Sequence, residues 1–327
     1  MVRVQTVLAV CCAFGLAFGC SNKRDESNKL VNQALEANSQ NNVAKAKSKL
    51  NLAIQADPSN ASAYHALAAI LCEEGSLDDA IPQFEKAVDL SKDNALWRYE
   101  LAAKYWELYQ GMAGDPNRDQ YLPKIEEHVS RAIELNSTMA EYYLLRARCR
   151  KATMSFKGAA EDYRKTIDLN PLEAGSYLEL GRLYGLMWKV FYRDDLFGLA
   201  EQTLASADKL RELLDLSTES QALLPDMKFE LGQLYAWRGH VEADAAAAKG
   251  FREKAIQRFS EIDEDYRDKG QLKLQLTQVF QQNGDTAKAC TAAREARQSI
   301  SGTEPGTEVI ADYIANLEQE VCGLATG

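Results

Sequence analysis

From residue 27 onward, apolar side chains recur at spacings of three and four, not in alternation. Tyr64, Leu67, Ala68 and Leu71 make one such stripe, Gly75 breaks it, and Ala80, Phe84 and Ala87 make the next. Asp78 and Asp79 stand where a second helix would start, the end at which the helix dipole favours acids. Pro82 falls in the early part of that helix, where few backbone bonds are lost. The pattern predicts an all-α chain of short paired helices. Its segment ends repeat as well: Ala53 to Pro58, Ala87 to Lys92, Ala132 to Ser137 and Thr166 to Pro171 follow one another at 34, 45 and 34 residues. A fixed period in this range predicts a stacked array, because one such unit is too small to bury its own apolar face.

At this register the residues resemble the tetratricopeptide repeat (TPR), a helix–turn–helix of 34 residues. Its pattern has a large residue at position 4, Leu-Gly at 7 and 8, Tyr at 11, Ala at 20, an aromatic at 24, Ala at 27 and Pro at 32. Repeats starting near 27, 61, 95, 140, 174, 225 and 270 place Ala34, Ala68, Ala102, Ala147, Gly181, Gly232 and Thr277 at position 8. Position 11 then reads Ala37, Leu71, Tyr105, Arg150, Tyr184, Tyr235 and Phe280. The resemblance implies a right-handed solenoid of about seven repeats over residues 27–327, closed by a capping helix at about 308–322. Three repeats are stretched. The third carries the loop chemistry of Gly111 to Gln120, and the fifth the apolar run Leu186 to Tyr192 with a long second helix at about Asp195 to Leu216. The sixth carries the Ala-rich His240 to Gly250, expected as helix extension. For 186–192 two readings stand: packing on a neighbouring helix, or an apolar patch offered to a partner.

Ahead of the array, Arg3 is the one charge before Cys20, and Val7 to Gly19 is apolar throughout. A span needs about 20 apolar residues, so this run reads as a signal peptide over residues 1–19. Ala17-Phe18-Gly19-Cys20 resembles a bacterial lipobox, in which the Cys is acylated. That resemblance implies a lipid on Cys20 and, with Ser21 behind it, sorting to the outer membrane facing the periplasm. Ala17 and Gly19 equally satisfy ordinary signal cleavage, which would give a secreted or soluble periplasmic protein. Residues 20–26, and the polar run to Asn28, read as a tether that does not pack.

Charge and chemistry narrow the function. With 38 Lys and Arg against 48 Asp and Glu, the net charge of −10 disfavours nucleic acid and anionic membrane surfaces, so the membrane is expected to be met through the lipid alone. There are 3 His, and no phosphate-loop, dinucleotide, nucleophile-elbow or zinc-protease motif. His240-x-Glu242 lacks the P-C-x-x-C that would make it a deaminase signature. Acidic pairs such as Glu73-Glu74 and Glu126-Glu127 read as solvated helix faces. No catalysis, cofactor, metal or small-molecule substrate is expected. Cys72, Cys149, Cys290 and Cys322 remain after the signal, and Cys290 with Cys322 is the candidate disulfide, both lying in the last two helices.

The TPR resemblance implies a concave groove lined by first helices at positions 2, 5, 9, 12 and 13. Those positions hold Tyr99 and Trp106, then Leu144, Arg148 and Lys151, then Leu178 and Arg182, then Phe229, Gln233 and Trp237. Aromatics beside Arg and Lys suggest an acidic and apolar peptide of a partner protein, although the basic trio would equally pair with the chain's own acids. The expectation is a non-catalytic scaffold or assembly adaptor of the bacterial cell envelope. A pilotin-like factor for secretin or barrel assembly and a docking subunit for a periplasmic hydrolase are the alternatives.

Overall fold

The computed structural model describes residues 23–213, 216–300 and 308–325, and among the described residues every regular element is a helix. They form two compact units that divide between Ser155 and Phe156. The N-terminal unit holds α1 (residues 23–39), α2 (Val43–Ala56), α3 (Ala61–Glu73), α4 (Leu77–Leu90), α5 (Ala95–Gly111), α6 (Tyr121–Leu135) and α7 (Ala140–Ala152). The C-terminal unit holds α8 (Phe156–Leu169), α9 (Ala174–Phe191), α10 (Asp194–Arg211), α11 (Thr218–Val241), α12 (Ala245–Ser260), α13 (Lys269–Gln282), α14 (Thr286–Ser299) and α15 (Glu308–Ala325). Sequence neighbours pair most extensively, as α3 with α4, α5 with α6, α9 with α10, α11 with α12 and α13 with α14.

Small residues set the pairing distance. Ala34, Ala68, Ala102, Ala147 and Thr277, all at position 8, are fully closed to solvent. Ala46, Ala80, Ala159 and Ala289 at position 20 are closed too, as are Ala53, Ala87 and Ala296 at position 27. Where position 8 is glycine the helices sit closer still: a Cβ on Gly181 would lie 2.5 Å from Leu204, and one on Gly232 2.4 Å from Phe259. Larger residues fill the remaining space, and Leu50, Leu101, Ile125, Tyr163, Leu183, Trp188 and Phe259 are the bulk of the core.

The 34-residue period has a turn chemistry behind it. Asp57, Asn136 and Asn170 close second helices, and each side-chain oxygen accepts the N–H two residues on, from Ser59, Thr138 and Leu172. Asn60, Asn94, Glu173 and Ser217 then cap the next first helix through Ser62, Trp97, Ser176 and Ser220 N–H. Between the paired helices, position 15 turns left-handed in four repeats, at Asn41, Gly75, Met154 and Gly284. Two of the four are glycine, which reaches that conformation without strain.

Four expectations need correcting. The polar run to Asn28 is not a loose tether: α1 starts at residue 23, and fully buried Ser27 donates to Ala53 O while accepting from Asn60 Nδ2. The sixth first helix starts seven residues before 225, at Thr218, with Pro225 inside it. Its C-terminal insertion is not one extension, because the helix stops at Val241 and Asp244 caps a new one through Ala247 N–H. The long second helix expected at about Asp195 to Leu216 runs from Asp194 to Arg211. The signal peptide and Cys20 lie outside the described residues.

Candidate interaction faces

In the N-terminal unit the open side of the first helices is aromatic. His65 on α3 stacks on Trp97 at 4.6 Å, meets Phe84 edge-on and bonds to Glu100. Beside it lies a shallow pocket of about 260 Å³, reached by Ala69, Cys72, Tyr99 and Lys104. Tyr99 leans on Tyr142 at 4.8 Å; burial, helped by Glu141 and opposed by Arg148, pushes its phenol pKa up. Trp106 stacks on Tyr109 at 5.1 Å. Arg148 is exposed, and Leu144 and Lys151 are half-buried. Tyr99, Trp106, Leu144, Arg148 and Lys151 therefore all reach solvent on first helices of this unit.

The C-terminal unit sorts its five groove candidates differently. Phe229 is 9% exposed and wedged between Phe259 and Tyr266. On α11 the open stripe is Glu230, Gln233, Trp237 and His240, and Phe229 is rotated about 100° from Glu230 into the core. Leu178 is 3% exposed. The extra N-terminal turns of α11 are laid against the start of α9, where Ser220 Oγ donates to Leu172 O and accepts from Ala174 N. Neither Phe229 nor Leu178 is available to a ligand. Arg182 is half-exposed but held by Glu230 at 2.7 Å and Glu179 at 3.2 Å, so it serves the chain's own acids.

Gln233 and Trp237 do reach solvent, on the α11 wall of a trough of about 450 Å³ whose other wall is α13. Trp237 is 40% exposed, with Lys189 Nζ 5.3 Å from its ring centroid and the His240 ring at 5.9 Å. The α13 wall is built of Gln275, Gln278, Val279, Gln281 and Gln282. The groove candidates stop at the sixth repeat and so leave these glutamines out, yet the signal was present: positions 9, 12 and 13 of the repeat starting near 270 are Gln278, Gln281 and Gln282, and five of the fourteen residues of α13 are Gln. The apolar run 186–192 divides between its two readings. Trp188 is buried against Phe197 and the Arg238 guanidinium, while Leu186, Val190, Phe191 and Tyr192 are exposed. At the C-terminus Cys290 and Cys322 are joined by a disulfide between α14 and α15, and Ile314, Leu317 and Val321 of α15 cover Leu274, Ala289 and Ala296.

Stacked helix pairs with small residues at the contacts and polar or aromatic first-helix faces define an α solenoid of TPR type. A solved tetratricopeptide repeat protein from Parabacteroides merdae shares the fold, with a TM-score of 0.50 over 91% of this chain and 99% of that one at 13% identity. Pseudomonas aeruginosa pilF matches at a TM-score of 0.46 and 17% identity, covering 76% of this chain and 97% of that one. By sequence the chain is 29% identical over 140 residues to the human mitochondrial import receptor subunit TOM70. That match takes in 42% of this chain and 22% of the receptor. No family model matches the chain.

Proposed function

We propose that the protein is a non-catalytic scaffold or assembly adaptor that holds a peptide segment of a partner protein on its first-helix faces. In this reading a lipid on Cys20 anchors it in the bacterial cell envelope, on the outer membrane and facing the periplasm. The observation that carries the scaffold is the trough between α11 and α13, where a large indole stands 40% exposed beside unburied amides. Exposed Trp in a concave polar setting is the composition of an interface anchor. Sequence likeness to an import receptor subunit supports a protein-handling role over a catalytic one.

The test is photo-crosslinking in living cells, with the crosslinker at position 237 or 99 and, as control, at exposed Gln202 on the second helix α10. A discrete partner captured from 237 or 99 and absent from 202 is the expected result. Equal capture at all three positions, or none, would reject the first-helix faces. A captured secretin or barrel subunit would assign the pilotin-like role, and a captured hydrolase the docking role. For the anchor, Cys20→Ala is expected to abolish labelling by radioactive palmitate and to release the protein from the membrane fraction; a variant that stays membrane-bound would refute it.

A further inference from the structure

We propose that the α11–α13 trough binds an extended, uncharged peptide segment by its main chain, with glutamine carboxamides reading the backbone and Trp237 seating one apolar side chain. This rests on the scaffold reading above and names the ligand class.

Geometry comes first. Gln275, Gln278 and Gln282 lie at i, i+3 and i+7 on α13, and Gln233, Trp237 and His240 at i, i+4 and i+7 on α11, so each set occupies one face of its helix. Each stripe is about 10 Å long at about 1.5 Å per residue, the length of about three extended residues at about 3.4 Å each. A carboxamide offers one acceptor and two donors, and a peptide unit one of each, so a Gln pairs with a main chain through both kinds of bond. Gln278 donates to the Tyr313 hydroxyl and Gln281 to Glu320, which ties the α13 wall to α15. The carboxamides of Gln233, Gln275 and Gln282 bond to no other described residue. They face the trough with their hydrogen-bonding capacity unspent.

Charge disfavours an acidic peptide in this trough. Among the described residues no carboxylate lines the trough, and the one ammonium there, Lys189, is drawn over the Trp237 ring. The neighbouring guanidinium, Arg182, is already neutralised by Glu230. An acidic peptide would surrender hydration for a single partner, and a basic one for none, whereas a neutral main chain meets amides throughout. A sugar ring would need an open indole face, but Lys189 holds one face and His240 is tilted against the ring. These contacts favour a peptide over a glycan.

The test uses the full mature chain and fluorescence polarisation with three pools of ten-residue peptides, uncharged, acidic and basic, and with chitin and malto-oligosaccharides as glycan probes. The uncharged pool should bind, with affinity changing less than twofold between 50 and 500 mM NaCl. Gln275→Leu with Gln282→Leu should weaken it at least tenfold, at about fivefold per lost hydrogen-bonding side chain. N-methylation of alternate residues of the best binder should weaken it similarly. Leu and Gln have similar helix propensity, so both variants should fold, and Gln275→Glu with Gln282→Glu supplies a second, polar version that should favour the basic pool. Preference for the acidic pool, binding of either oligosaccharide, or wild-type affinity in the Gln→Leu variant would overturn the proposal. If position 237 crosslinks a partner whose segment the Gln variants still bind normally, the scaffold stands and the carboxamide reading falls. If nothing crosslinks and no pool binds, both fall.

Discussion

One substitution, Gly→Ala, should have three different outcomes in the C-terminal unit, each set by a different physical effect. At Gly232 the new Cβ would meet Phe259 ring carbons at 2.4, 2.7 and 2.9 Å. Carbon contacts settle at about 3.5–4.0 Å, so the ring must retreat by about 1 Å. It has nowhere to go, being fully buried with Phe229 packed 5.7 Å away. Overpacking of this kind costs about 1–3 kcal/mol, and the helix propensity of Ala returns about 1, leaving a net loss of up to about 2 kcal/mol. At Gly198, exposed in α10 with nothing within 4 Å, only the propensity gain remains and the variant should be more stable by about 0.5–1 kcal/mol. Gly284 also has open space, but its φ of +78° is left-handed, so Ala there should cost about 1 kcal/mol. Urea unfolding followed by circular dichroism, with hydrogen exchange to locate the loss in α9–α12 for Gly232→Ala, measures all three. A Gly232→Ala variant as stable as Gly198→Ala would refute the close approach of α11 and α12. A second check is that Phe259→Leu should remove most of the penalty, a coupling that a remote effect would not show.

Other consequences follow from the same packing. Breaking the Cys290–Cys322 link by double Ala substitution opens a loop with a sequence separation of 32 and should cost about 3–4 kcal/mol at most by chain entropy. Hydrogen exchange should speed up in α15 and leave α1–α7 unchanged; uniform loss would contradict a local clasp. Burial pushes the Cys149 thiol up to about 12, from its ordinary 9.0, and its Sγ donates to Leu122 O. Because the folded value lies above the unfolded one, this contribution is complete below about pH 9 and is lost as pH rises towards 12. At pH 8 a thiol reagent should therefore modify half-buried Cys72 first, and Cys149 only on unfolding. Arg238 lies 5.5–5.8 Å from the Trp188, Phe197 and Phe251 rings and bonds to Asp194 and Glu242. Arg238→Ala should cost about 2–3 kcal/mol and alter Trp188 fluorescence, while Arg238→Lys, lacking the planar stack, should recover only part.

The interaction faces were only partly legible in the sequence. Gln233 and Trp237 could be placed on an open stripe from the repeat register, because α11 keeps one period through that region. Phe229 could not: Phe259 and Tyr266 pack over it, and the repeat register does not show those distant rings arriving. For Arg182 the sequence left a ligand and the chain's own acids equally open, because it does not show that Glu230, 48 residues away, reaches it. The glutamines of α13 were visible both as composition and at positions 9, 12 and 13 of the last repeat, but their meaning depends on Trp237 and Lys189 standing across the trough.

By itself the sequence determined the helical period and the small residues at positions 8, 20 and 27, and it carries the Asp57, Asn136 and Asn170 side chains whose Asx turns end three of the second helices. These are local or periodic properties, fixed by backbone sterics and by hydrogen bonds reaching only a few residues. The tertiary structure alone decided which polar side chains are already spent. It paired Arg182 with Glu230, buried Ser27 in what read as a tether, and divided 186–192 between a buried Trp188 and an exposed Phe191. Those outcomes depend on which distant side chain arrives within bonding distance, and a repeat period carries no record of that.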